Sequence, residues 1–304
     1  MTLVKLFLKL AAAIALFLLL NIVLSVVLLL AASFLSPQDA SMPTDALALA
    51  EWMSAQPMFG RAALAVSSAM AIPSALIVYA AFERGKRWPL GWRQRSRFRL
   101  LLRGLGFGAG LITAAYLAAV VAGGVRPVGI AADIQWPLLL ADAALFAVVG
   151  ASEEIFSRGY VYGLVKRRLG VVGGVLASSL LFAWLHAQNP GALDSPLPMI
   201  NLLLAGVWFA LLREWSGGLW VPIGAHIAWN FCLGDVYGLP VSGLETARLL
   251  RSETEAGLWS GGAFGLEGGL ATTLILAAAS FRLIRSLQQR RNPLGPSYRQ
   301  GGTL

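Results

Sequence analysis

Charge is what this sequence has least of. Only 13% of its 304 residues are Asp, Glu, Lys or Arg, while 57% are hydrophobic. A soluble domain carries about 25% charged residues. The balance excludes an ordinary soluble enzyme and excludes disorder of the chain as a whole. Histidine occurs twice and cysteine once, at Cys232. A single cysteine forms no intrachain disulfide, so the fold does not depend on an oxidising compartment. Cys232 sits in an apolar stretch and reads as a small packing residue. Acidic residues number 15 against 24 Lys plus Arg, a net charge of +9. In a membrane protein such an excess reflects cytoplasmic loops facing anionic lipid, so no nucleic-acid partner is expected.

What is abundant is apolar length. Eight segments read as spans, near 7–35, 62–82, 104–123, 137–164, 170–189, 198–212, 218–233 and 264–284. The first is about twice a signal peptide's apolar core, so it reads as a retained anchor. The sixth and seventh are short, which suggests a thinned bilayer or a site reached from one side. Helices are expected because unpaired backbone is costly in lipid. The expected fold class is all-α: a polytopic membrane protein of about eight transmembrane helices with a buried polar site.

The loops set the orientation. Every Lys and Arg falls at or before the start of span one, in alternate loops, or at or beyond the end of span eight, except Arg61, Arg126, Arg158, Arg248 and Arg251. The opposite loops hold Asp39, Asp45, Glu51, Asp133, Asp194, Asp235, Glu245, Glu253 and Glu255. The positive-inside rule then puts both termini in the cytoplasm of a cell-membrane protein. The basic 84–103 loop also carries Trp88 and Trp92, which read as interfacial anchors. The expected organisation is helices one to three over 1–136, a core of helices four to seven over 137–235, an outer loop and helix eight over 236–290, and a disordered cytoplasmic tail over 291–304.

Ionisable groups inside spans are expensive and are functional candidates. Span four holds Asp142, Glu153, Glu154 and Arg158; span five holds His186; span seven holds His226 and Asn230. Glu154 and Arg158 are spaced i, i+4 and can pair. That pairing neutralises one carboxylate and leaves Glu153 free to act as a general base. Glu153 lies 15 residues before Arg168, and His186 lies 16 after Gly170. An antiparallel hairpin turning near Arg168–Gly170 therefore brings both level, about 23 Å from the turn at 1.5 Å per residue. His226 comes level only if the turn at Ser216–Gly218 sits deep or span seven tilts. Asp142 reads as the bound of a water path or, preferably, as a hydrogen-bond partner at the helix's outer end. Gly150, Gly173 and Gly174 permit close helix packing.

Glu153-Glu154-x-x-x-Arg158, Phe182-x-x-x-His186 and His226-x-x-x-Asn230, in this order, resemble the motifs of the CAAX-protease and bacteriocin-processing family of intramembrane proteases, also called the Abi family. The resemblance covers about 137–235. It implies an eight-helix membrane fold and hydrolysis of a peptide or protein substrate at the bilayer. It makes Glu153 the base on water and His186 its helper, with Glu154 and Arg158 in support. His226 and Asn230 would stabilise the oxyanion, or His226 would bind metal. Ser157 departs from the family, which often has an aromatic residue there. Glu153 or Glu154 with His186 and His226 would also make a His₂Glu zinc set. There is no His-Glu-x-x-His element, and Asn230 suits an oxyanion donor better than a zinc ligand, so the reading leans to a metal-free site. Competing readings are a partner-binding or bacteriocin-immunity protein of the same fold, a bis-histidine haem protein and a proton-coupled transporter.

Overall fold

Apolar helices make up nearly all of the regular structure. The computed structural model describes residues 2–35, 48, 52, 56–83, 88–255 and 257–291. In chain order the helices are α1 (Leu3–Leu35), α2 (Pro57–Ala69), α3 (Ala71–Phe82), α4 (Arg97–Val121), α5 (Trp136–Glu154), α6 (Tyr162–Leu185), α7 (Pro196–Ser216), α8 (Trp220–Phe231) and α9 (Leu270–Arg291). Among the described residues, six helical stretches are long and apolar enough to cross a membrane. Ile22, Leu117, Leu140, Leu180 and Phe281 project outward from them, exposed. Water would penalise such a surface and hydrocarbon does not. This is an all-α polytopic membrane protein.

All eight expected spans are helical, but eight separate crossings do not follow. The fourth and fifth lie within one 50-residue stretch, Trp136–Leu185. It folds back at Gly170, whose φ of 73° only glycine adopts at little cost. The seventh, α8, has 12 residues, too few to cross alone. Asp39, Asp45, Glu51, Arg84, Lys86, Arg87 and the tail over 292–304 lie outside the described residues.

The 125–130 and 250–254 segments, expected as loop, form a two-stranded antiparallel sheet, β1 (Val125–Ile130) with β2 (Leu250–Thr254). Pro127 and Gly129 flank its register shift, and such residues hide a strand from a pattern search. Trp88 corrects a second expectation. It is no interfacial anchor but is buried, stacked on Tyr160 and edge-on to Tyr79.

Glycine sets the distance between α4 and α8. A Cβ at Gly108 would lie 2.0 Å from the Ala225 carbonyl oxygen, and one at Gly224 would lie 2.3 Å from that of Leu101. Only bare backbone allows so close an approach, the usual device of helix pairs in lipid. This contact presses α8, with His226, into the protein.

Candidate functional site

The site is built where α5 ends. The chain runs from Glu154 into a wider π turn, Ile155–Val161, before α6 begins. Such turns are rare and cluster at functional sites. Arg158, in this turn, is fully buried and donates from Nη1 to Glu154 Oε1 at 2.9 Å. Its Nη2 donates to the Gly206 carbonyl at 3.1 Å. The guanidinium stands 4.5 Å over the ring of Phe182 and 5.3 Å from that of Phe209. The i, i+4 pairing expected from sequence is present, and aromatic faces complete the cation's surroundings.

Glu154 also holds His226. Nδ1 of His226 lies 3.2 Å from Glu154 Oε1, and its ring stacks on Phe209 with centroids 4.7 Å apart. An ionised carboxylate only accepts, so Nδ1 carries the proton and Nε2 faces away from Glu154. His186 caps α6, with Nδ1 at 2.8 Å from the Phe182 carbonyl. A carbonyl also only accepts, so this Nδ1 donates and Nε2 presents its lone pair. Both Nε2 atoms point to one place. Glu153 Oε2 lies 3.8 Å from Nε2 of His186 and 4.0 Å from Nε2 of His226. That oxygen is buried with no hydrogen-bond partner among the described residues.

Glu153 and His186 therefore lie level across the turn at Gly170, as their spacing predicts. The open question about His226 resolves as well. Leu219 N donates to the Gly91 carbonyl at 2.9 Å, and Gln94 Nε2 to that of Ser216 at 3.0 Å. The 88–94 segment thus covers the Ser216–Gly218 turn, and α8 starts inside the protein.

A cavity of about 540 Å³ adjoins these groups, and Glu153, His186, His226 and Asn230 line it. Asn230 is buried, one turn past His226, and its amide makes no hydrogen bond among the described residues. Ser157, the departure from the family pattern, lines the same wall. Asp142 accepts from Arg61 at 2.5 and 2.8 Å and from the Ala247 amide at 2.9 Å. It is the hydrogen-bond partner expected, and its own partner is Arg61.

Glu267 lines the cavity and escaped the sequence reading. It accepts from the Trp229 indole at 2.8 Å and from the amide and hydroxyl of Ser242 at 2.5 and 2.9 Å. Its signal was available, since a carboxylate stood inside the segment expected as span eight.

His186, His226 and Glu153 were also the candidate zinc set. Among the described residues, no three His, Cys, Asp or Glu side chains group in a way that could hold a metal ion. No step below runs through a metal.

Residues 135–232 match the model of a protein family described as type II CAAX prenyl endopeptidase Rce1-like. The matched segment is the central third of the chain. It contains every residue of the Glu-Glu, Phe-His and His-Asn motifs, which supports the resemblance to the CAAX-protease family. No curated protein and no solved structure matches the chain.

Proposed function

We propose that this protein is an intramembrane endopeptidase that hydrolyses a peptide bond with water activated by Glu153, in the manner of a CAAX prenyl protease. It sits in the cell membrane with both termini cytoplasmic. The observation that carries the reading is the convergence of two Nε2 atoms on the unpartnered Oε2 of Glu153, within 4.0 Å. A carboxylate oxygen and the lone pair of His186 are both acceptors, and a water between them satisfies both by donating two hydrogen bonds.

The water oxygen attacks the peptide carbonyl carbon as its proton passes to Glu153. Negative charge moves to the carbonyl oxygen. Asn230 offers amide donors to it. His226, whose Nδ1 is held by Glu154, would donate to it from Nε2 when protonated. When the C–N bond breaks, Glu153 returns its proton to the leaving amine. Arg158 touches no substrate; it holds the Glu154 carboxylate in place, and Glu154 orients His226 through Nδ1.

The test compares peptide termini in membranes holding wild-type protein or Glu153→Gln at matched expression. Termini present only with the wild type are expected. Identical termini, with both proteins folded, would overturn proteolysis and favour a partner-binding or immunity role.

A further inference from the structure

The cavity is lopsided across the membrane. Its lining on α5 runs from Asp142 to Glu153, on α8 from His226 to Asn230, and on α2 it begins at Pro57. It also takes in the 241–246 loop and Glu267. These belong to the helix ends and loops remote from Lys166, Arg167 and Arg213. Among the described residues, none of the basic loops contributes to the lining.

The basic side is a packed floor instead. Tyr160 and Leu219 are fully buried there. Trp88 lies so close to Gly163 that a Cβ at that glycine would meet its ring at 2.1 Å. The indole of Trp220 donates to the Trp92 carbonyl at 2.8 Å. With the bonds from Leu219 and Gln94, this closes the approach to Glu153 from below.

Resting on the proteolytic reading above, we propose that substrate reaches Glu153 from the face opposite the basic loops, as an apolar polypeptide segment presented there. Leu64, Phe146, Val149 and Leu202 offer it apolar walls, and Ser242 and Thr246 add polar groups to the lining. By the positive-inside rule this face is not cytoplasmic. A prenylated protein carried on the cytoplasmic surface would meet the floor.

Cysteine labelling tests the direction of access without needing turnover. In a Cys232→Ser background, Ser68→Cys places a thiol in the cavity wall. Arg126→Cys, on exposed β1, marks one face, and Arg95→Cys, in the basic loop, marks the other. Right-side-out and inverted vesicles are treated with a sulfonated, membrane-impermeant maleimide. Ser68→Cys is expected to react in the vesicles that label Arg126→Cys and to lose labelling in those that label Arg95→Cys. Leu64→Cys gives the same readout should Ser68→Cys fold poorly. Labelling from the Arg95 side overturns the proposal. So does no labelling at either position while both markers react.

Glu153→Gln should label like the wild type, so access is judged even if proteolysis is absent. The substrate half is read from the wild-type-specific termini. They are expected in apolar segments at the Arg126 face, and termini in cytoplasmic lipidated tails would overturn it.

Discussion

Two acid–arginine pairs lie along α5, and a second buried acid stands beside each of them. Near its start, Asp142 meets Arg61 and the Ala247 amide, so that both its oxygens are used. At its end, Glu154 meets Arg158 and His226, and next to it stands Glu153 with a buried oxygen that has no hydrogen-bond partner among the described residues. The first pair clips α2 and the 247 backbone to α5. The second neutralises one carboxylate so that its neighbour stays free. A buried ion pair is poor evidence of function by itself. The two imidazoles facing Glu153 distinguish its end of the helix from the other, where the neighbouring buried acid is Asp235.

The sharpest way to test that distinction is Glu153→Gln. Loss of the general base should slow cleavage by about 10²–10⁴-fold, measured as appearance of the wild-type-specific termini. Because Oε2 makes no hydrogen bond, unfolding should move by no more than about 0.5 kcal/mol. A large drop in stability would make Glu153 a structural residue like Asp142.

Arg158→Met should reverse the pattern. It strands Glu154 in a fully buried position, at a cost of about 3–5 kcal/mol. Thermal unfolding in detergent reads this. Adding Glu154→Gln should recover much of that stability while cleavage stays impaired, because His226 loses its charged partner.

Asn230→Ala should spare stability and slow cleavage by about 10²–10³-fold, the effect of removing one oxyanion donor. The fall should appear in kcat rather than KM, since the developing charge exists only in the transition state. An effect confined to KM would make Asn230 a substrate-positioning group.

The sequence and the structure agree where spacing alone carries the information. Glu154 and Arg158 share a face by i, i+4, and equal distances from Gly170 level Glu153 with His186. They part where contacts are remote in sequence. The Arg61–Asp142 pair joins residues 81 apart, and no period in the chain announces it. Burial of Trp88 depends on Tyr79, Tyr160 and Gly163, so composition read it as an anchor. The π turn after Glu154 and the β1–β2 sheet were invisible for the same reason. The depth of α8 hung on glycines of α4 facing α8 and on the 88–94 segment beneath it, and neither is a property of α8 itself.

Asp142→Asn is the mildest of these changes and probes the other end of the helix. The amide keeps one acceptor oxygen for Arg61. Its nitrogen cannot accept from Arg61 or from the Ala247 amide. A cost of about 1–3 kcal/mol is expected for the hydrogen bonds left unmade. Burial, together with the Asp142 charge, pushes the Asp235 carboxyl up to about 8, so the change should also ease the ionisation of Asp235. Cleavage should change less than about tenfold, since the pair stands about 16 Å along α5 from Glu153 at 1.5 Å per residue. The rate of terminus formation and the unfolding midpoint, measured on one preparation, check both halves. If cleavage instead fell as far as in Glu153→Gln with the fold intact, the Arg61–Asp142 pair would belong to the reacting centre. The two ends of α5 would then form one site rather than a clip and a catalyst.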